Sequence, residues 1–414
     1  MNPDKYDVVV IGAGPSGMMA AVFAKRRGLS TAVIDDDFHM KKLLLTGKGR
    51  CNLTNNCNVQ KIILNAVRGG KFLYSSLSEF SSAEIMDFFS ERGVDLVTER
   101  GDRVFPASGK SYDIVKTLIY EAEKLGVTFI RERAKSLIFD GDKVSGVAVG
   151  NGDVYSNAVI VATGGLSYPS TGSRGEGYEF ARQAGHHVVD TAPSLVGIIC
   201  RGDFYKRLSG LSLRNVELSV KKGKKQIFLQ RGEMLFTDFG ISGPLVLTAS
   251  AYVTYEDFKE LDFSVDLKPA LSRDLLDKRV LRDFAKYSNR ELQNGLGDLL
   301  PKSMIPEVIA TAEIDPNRRI NEITAESRRK LVDTLKSFPL TATGTRSISE
   351  AVVTAGGVDL KEIYPKTMMS KKMSELYFCG EVLNTDALTG GYNLTIAFST
   401  GAAAGRNVLK GELK

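Results

Sequence analysis

Residues 6–37 read YDVVVIGAGPSGMMAAVFAKRRGLSTAVIDDD. Tyr6 to Ile11 is an apolar, β-branched run of the kind a parallel strand covered on both faces requires. A glycine-rich turn follows, then Ser16 to Arg27 with helical periodicity and Gly28 in the place of a C-cap. Thr31 to Ile34 is a second strand, closed by Asp35-Asp36-Asp37. This is a βαβ unit with GxGxxG at its first turn. Gly12 permits the tight turn, Gly14 lets backbone approach a pyrophosphate, and Gly17 lets helix and strand pack closely. The helix N-terminus then faces the negative charge. Asp35 lies 18 residues beyond Gly17, where a carboxylate accepts bonds from ribose hydroxyls. The strand, the helix and the acid together predict a dinucleotide site over Gly12, Ala13, Gly14, Pro15, Ser16, Gly17 and Asp35.

Working outward, Ser82 to Arg92 and Ser111 to Leu125 read as amphipathic helices, the second with Ile114, Leu118, Ala122 and Leu125 on one stripe. Short strands surround them, at Val104-Phe105, Val127 to Ile130, Lys143 to Val149 and Ala158 to Ala162. From Leu195 to about Leu267 the alternation Val216, Leu218, Val220 and Ile227, Leu229 predicts antiparallel β structure. Ser272 to Phe338 reads as helical. Near Thr345 a glycine-rich, β-branched texture returns. The expected class is α/β, a Rossmann-like domain formed by both ends of the chain and interrupted by an insert. Its parts are residues 1–193 and 345–414, with the insert at 194–344 divided into a β-barrel (about 194–267) and a helical part (about 268–344).

Length and composition fit this. The chain has 414 residues, 43% hydrophobic and 25% charged, enough for two or three domains with real cores. Its net charge of +6 suits an anionic ligand as well as a nucleic acid. The run Lys221-Lys222-Gly223-Lys224-Lys225 reads as the solvated tip of a hairpin. Four cysteines are too sparse for a disulfide framework, so a reducing cytoplasm is expected. The three histidines and four cysteines show no ligand spacing, and no metal site is expected. Val8 to Ala24 is apolar, but Asp4 and Asp7 precede it and the glycine turn interrupts it, so neither a signal nor a membrane segment is expected.

Four further glycine-containing segments bear on the cofactor. Leu45 to Asn55 (LTGKGRCNLTN) combines small residues, two cations and amides, a composition suited to a pyrophosphate or a flavin ring. Ala162-Thr163-Gly164-Gly165 ends an apolar strand in small residues, which lets chain pass beneath a cofactor. Leu376 to Cys379 is a strand ending in Gly380-Glu381, whose carboxylate could bond a ribityl chain. Gly390-Gly391-Tyr392-Asn393-Leu394 then opens a helix whose amides would favour electron density on a reduced flavin. Together they point to FAD rather than a simple NAD site.

The chain resembles the bacterial flavoprotein family that carries a GKGRCN-x-TN signature, labelled aminoacetone-oxidase-like or NAD(P)/FAD-dependent oxidoreductase and including bile-acid enone reductases. The resemblance lies in VIGAGPSGMMAA, TGKGRCNLTN, ATGGLSYPSTGSRGEGY, GEMLFTDFGISGP, AVVTAGGV and CGEVLNTDALTGGYNLTIAFSTG, in order along nearly the whole chain. It implies that Lys42, Thr46, Gly47, Gly49, Arg50, Cys51 and Asn52 line the FAD. It further implies that Thr163, Gly164 and Gly165 pass beneath it, and that Gly380, Glu381, Gly391, Tyr392, Asn393 and Leu394 hold its ribityl and flavin. This chain departs from the family in having Asp35 rather than Glu, and Phe38-His39-Met40-Lys41 where a small glycine-containing linker is usual.

Three functions compete. The first is an FAD-dependent reductase that uses NADH or NADPH to saturate an activated C=C bond of a small organic molecule. Only one complete dinucleotide fingerprint is present, so the nicotinamide would visit without a second Rossmann domain. The second is an amine or aminoketone oxidase that passes electrons to O₂. The third is an FAD-dependent enzyme acting on RNA, against which the basic residues form no aromatic-interleaved stripe. A thiol–disulfide reductase is disfavoured because five residues, not four, separate Cys51 from Cys57. No catalytic residue is assigned. Tyr392 is a candidate acid more simply read as a packing aromatic, and His186-His187 as a local packing pair.

Overall fold

In the computed structural model, which describes residues 5–410, the chain divides into two compact units. One runs through Ser194 and resumes at Ile348; the other is Leu195–Ser347. Each has its own hydrophobic core.

The first unit is built on a parallel sheet. Its elements are β1 (Tyr6–Ile11), α1 (Pro15–Arg26), β2 (Thr31–Ile34), α2 (Ser111–Leu125), β3 (Thr128–Ile130), β4 (Ser136–Asp140), β5 (Lys143–Val149), β6 (Gly152–Val161), β7 (Leu376–Phe378) and α3 (Tyr392–Asn407). The parallel order is β3-β2-β1-β6-β7. Val8, Val9 and Val10 are fully buried, as a strand covered on both faces demands. The first half of β6 pairs antiparallel with β5, and β5 with β4, so one long strand joins the nucleotide-type sheet to a meander.

Helices α1 and α3 cross at very short range. A Cβ on Gly401 would lie 2.2 Å from the Ser16 carbonyl oxygen, and one on Gly405 would lie 2.2 Å from that of Ala20. Only glycine at both positions lets the two backbones touch.

In the second unit the strands Ile198–Cys200, Ser212–Lys222, Lys225–Thr237, Gly240–Ser242, Leu261–Asp266, Phe338–Leu340 and Ala342–Thr345 form one antiparallel sheet. Leu261–Asp266, next to one edge, approaches the opposite edge strand Ala342–Thr345, so the sheet curls toward closure. The lysine run forms the hairpin tip, Lys222 pairing with Lys225. Two expectations need correction. Residues 338–345 are strand, not helix: Phe338 and Leu340 alternate inward and complete the sheet beside Leu261–Asp266. The stretch assigned wholly to β structure also contains the helix Pro244–Val253, where proline at the first turn starts the helix.

Candidate functional site

Four adjacent parallel strands deliver the site. β1 ends just before Gly12, β2 just before Asp35, β6 just before Ala162-Thr163, and β7 shortly before Gly380-Glu381. Ligands of open α/β sheets bind in the crevice beyond such carboxyl ends. A cleft of about 1150 Å³, including its open mouth, lies there, lined from the expected set by Gly12, Ala13, Gly14, Pro15, Ser16, Asp35, Lys42, Thr46, Thr163, Gly164, Glu381, Asn393 and Leu394.

The local chemistry suits a dinucleotide. Gly12 has φ +102°, and a Cβ there would meet the Ala162 carbonyl oxygen at 2.6 Å. A Cβ on Gly17 would be 1.9 Å from the Gly12 oxygen, so that glycine serves helix–strand packing rather than the cleft. A Cβ on Gly14 meets no protein atom within 4 Å and faces open cleft. Helix α1 has no side-chain cap and no acid in its first turn, leaving its amide end to an anion. These features fit an FAD pyrophosphate.

Asp35 Oδ2 accepts from the Ala13 amide at 2.6 Å and Oδ1 from the Asp37 amide at 2.9 Å, which fixes the carboxylate at the cleft wall. Burial pushes its pKa up, and the charges of Asp36 and Asp37 add to that rise, against the two amide bonds. At the other end, Lys42 Nζ lies 2.6 Å from Glu381 Oε2 and 2.6 Å from Ser167 Oγ. Glu381 Oε1 accepts from the Thr354 amide at 2.9 Å and from Ser167 Oγ at 2.9 Å. Burial pushes the Glu381 carboxyl upward, but the Lys42 charge and these hydrogen bonds outweigh it and hold it below the usual range. Glu381 is therefore a charged anchor with one acceptor position of Oε2 left for a ligand.

Asn393 clamps the turn before α3, donating to the Ala387 carbonyl at 2.7 Å and accepting from its amide at 2.9 Å. Gly391, with φ +98°, packs against the Thr54 backbone. With the Asn52 amide oriented to suit its neighbours, its oxygen accepts from Gly391 N at 3.0 Å and its nitrogen donates to the Thr54 carbonyl at 3.1 Å, joining the GKGRCN loop to this turn.

Several expected residues stand off the cleft. Gly47, Gly49, Arg50, Cys51, Asn52, Gly165, Gly380, Gly391 and Tyr392 are not among its walls. Gly165 packs on Thr354 and Glu381, and Gly380 on Ser16, so both support the walls from behind. Arg50 turns to Glu99 and Phe105. Cys51 is buried in the main core, its thiol pushed by burial up to about 12, whereas Cys57 packs with a separate cluster; neither forms a disulfide. Tyr392 sits in that same small cluster with Ile62, Leu73 and Leu77, and burial raises its pKa. His186 is buried between Glu362 and Ser370 against Phe378. The cleft also recruits Val352, Val353 and Thr385, which the sequence reading passed over. Their motifs were visible, but the place of Val353 depends on the ladder that pairs Val353–Val358 with Val188–Ser194, a contact distant in sequence.

Residues 6–407 match the HI0933-like protein Rossmann domain. The chain belongs to this family. It is 30% identical over 409 residues to the 3-dehydro-bile acid delta(4,6)-reductase of Clostridium scindens, covering 96% of this chain and 97% of that protein. It is 31% identical over 407 residues to the ribosomal RNA dihydrouridine synthase of Haemophilus influenzae, covering 97% and 98%. A protein of the same name from Escherichia coli is 29% identical over 408 residues, covering 98% of each. Among solved structures, 3-ketosteroid-delta4-(5alpha)-dehydrogenase from Rhodococcus jostii RHA1 superposes with a TM-score of 0.54 at 16% identity, covering 98% of this chain and 96% of that one, a likeness of fold. The protein is an FAD-dependent oxidoreductase with a Rossmann-like FAD-binding domain. No helix among the described residues is long and apolar enough to cross a membrane.

Proposed function

We propose that this protein is an NAD(P)H-dependent reductase that adds two hydrogens across a C=C bond conjugated to a carbonyl. The observation that carries this reading is the agreement between two kinds of full-length relative. One is named for reducing a 3-dehydro bile acid, the other for making dihydrouridine in ribosomal RNA. What those substrates share chemically is an unsaturated bond next to a carbonyl. The cleft supports the reading because Gly12, Gly14 and the open end of α1 suit a pyrophosphate, Asp35 a ribose, and Lys42–Glu381 the ribityl hydroxyls.

When bound, FAD supplies the two-electron chemistry. The chain holds the cofactor's anionic centre at α1, presents the amide end of α3 toward the cleft through Asn393 and Leu394, and keeps water away with buried Val353 and Ile396. Anaerobic absorbance tests the proposal. The yellow protein is expected to bleach rapidly with NADH or NADPH, recover colour when an enone is added, and reoxidise slowly in air. No bleaching by either nicotinamide, with peroxide formed from an amine or aminoketone, would establish the oxidase reading instead.

A further inference from the structure

Folding assembles cations that the chain order separates. Lys48 and Arg50 belong to the turn Thr46–Gly49 and its C-cap, and Arg100 and Arg103 to the hairpin of Leu96–Glu99 and Arg103–Pro106. The Arg50 guanidinium stands over Phe105, its Cζ 4.1 Å from the ring centroid, and that of Arg103 lies 5.7 Å from the same centroid. Arg50 donates to both oxygens of Glu99 at 2.8 and 3.1 Å, and Arg103 lies 3.6 Å from Glu99. Arg103 Nε also donates to the Arg100 carbonyl at 3.0 Å. Glu99 thus pairs with only two of these four cations, and neighbouring Asp102 is taken by Lys61 at 2.7 Å. Lys48 and Arg100 are exposed and make no side-chain hydrogen bond or ion pair among the described residues.

The presentation is built, not incidental. Gly47, Lys48 and Gly49 are consecutive left-handed residues with φ +59°, +58° and +84°. A lysine in that region is strained, and surrounding structure must hold it there. A Cβ on Gly47 would fall 3.0 Å from Asn52 N and 3.3 Å from Phe105, which shows how tightly the turn is seated. The patch also borders the cleft. Thr46 of the same turn lines it, and Asn55 Nδ2 donates to both the Gly101 and Gly390 carbonyls at 3.0 Å, tying the hairpin tip to the turn before α3.

We propose that this rim binds the phosphodiester backbone of a single-stranded RNA segment whose base enters the cleft. A small carboxylate needs one cation. Four cations on two rigid segments, with Leu45 and Val97 exposed on those segments, match a repeating anion with apolar faces between its charges. The inference rests on the reductase reading for its chemistry and names the substrate class.

The test is fluorescence anisotropy of a short labelled uridine-rich RNA with the FAD-loaded protein, across a salt series. The double variant Lys48→Glu/Arg100→Glu is expected to weaken binding at least about tenfold. The salt dependence should flatten by about 0.7 in log–log slope for each phosphate that is no longer neutralised. Flavin absorbance and melting temperature report whether the fold survives, and the milder Lys48→Gln/Arg100→Gln pair carries the test if it does not. Unchanged affinity and slope in both variants, or no RNA binding by the parent protein, would overturn the inference. A parent protein that saturates enones yet ignores RNA defeats this inference alone. One that binds RNA through the rim but is not bleached by a nicotinamide defeats the reductase reading alone.

Discussion

At Gly14 the absence of a side chain is the binding surface. Its missing Cβ faces open cleft, so Gly14→Leu meets no protein atom at its Cβ and leaves the fold free to form, while the added side chain fills the space proposed for the pyrophosphate. The expected product is a folded protein purified without flavin, read as a normal melting curve with no visible absorbance; a fully flavinated Gly14→Leu protein would refute the cofactor placement. Asp35 gives a pH signature. Its pKa is raised, so on acidification it takes up a proton at higher pH than an ordinary aspartate, and the proposed pairing with two ribose hydroxyls needs the ionised form. FAD affinity should therefore fall with acid at a pH higher than an ordinary aspartate would set, and Asp35→Asn should lower affinity and flatten that fall. Folding responds with the opposite sign: a carboxyl whose folded pKa exceeds its unfolded value costs stability above that pKa and is relieved below it. Titrating FAD dissociation and thermal melting over the same pH range separates the two. At Lys42 the argument is charge pairing. Lys42→Met strands Glu381 beside its remaining partners, Ser167 and the Thr354 amide, which should cost roughly 1–3 kcal/mol of stability and weaken FAD retention. Chemical denaturation of the parent and variant proteins measures it.

At the scale of elements, the contact between α1 and α3 decides whether the site exists. Gly401 and Gly405 let α3 press on the Ser16 and Ala20 carbonyls, and Ser16 itself lines the cleft. Gly401→Val would force the helices apart at a cost of about 1–3 kcal/mol. Its melting temperature should fall by several degrees, and FAD affinity should fall with it, because the displaced turn carries the amides proposed to hold the pyrophosphate. Normal FAD affinity at a lowered melting temperature would separate the contact from the site. The βαβ core was legible because its signals are local: a β-branched strand, GxGxxG, a helix and an acid fall within residues 6–35. The α1–α3 contact was not, since nothing in Thr395 to Gly405 names the partner that its glycines meet. That Arg50 and Cys51 do not line the cleft was illegible for a similar reason. Their loop reaches the cleft through Thr46, but pairing with Glu99 and burial in the core fix which way each of these side chains turns. The strands at 338–345 read as a helix end because so short a run takes its identity from its neighbour, Leu261–Asp266.

For the whole molecule, the division into units carries a consequence for the cofactor. Every wall of the cleft comes from residues before Leu195 or after Ser347, and the core of that unit contains no residue of the other. The two ends that flank the insert are already joined by structure, since Ser194 pairs with Val353 in the ladder that runs on to Val188 and Val358. A short flexible linker from Ser194 to Ile348 therefore has little distance to span, and closing so small a loop costs little entropy. The shortened chain, lacking Leu195–Ser347, is expected to fold and bind FAD, giving a yellow protein with a single cooperative melt that shifts upward with added cofactor. Binding of FAD by this chain would locate all cofactor recognition in one unit and leave the insert to other work. A chain that melts cooperatively yet remains colourless would show that cofactor binding requires the insert.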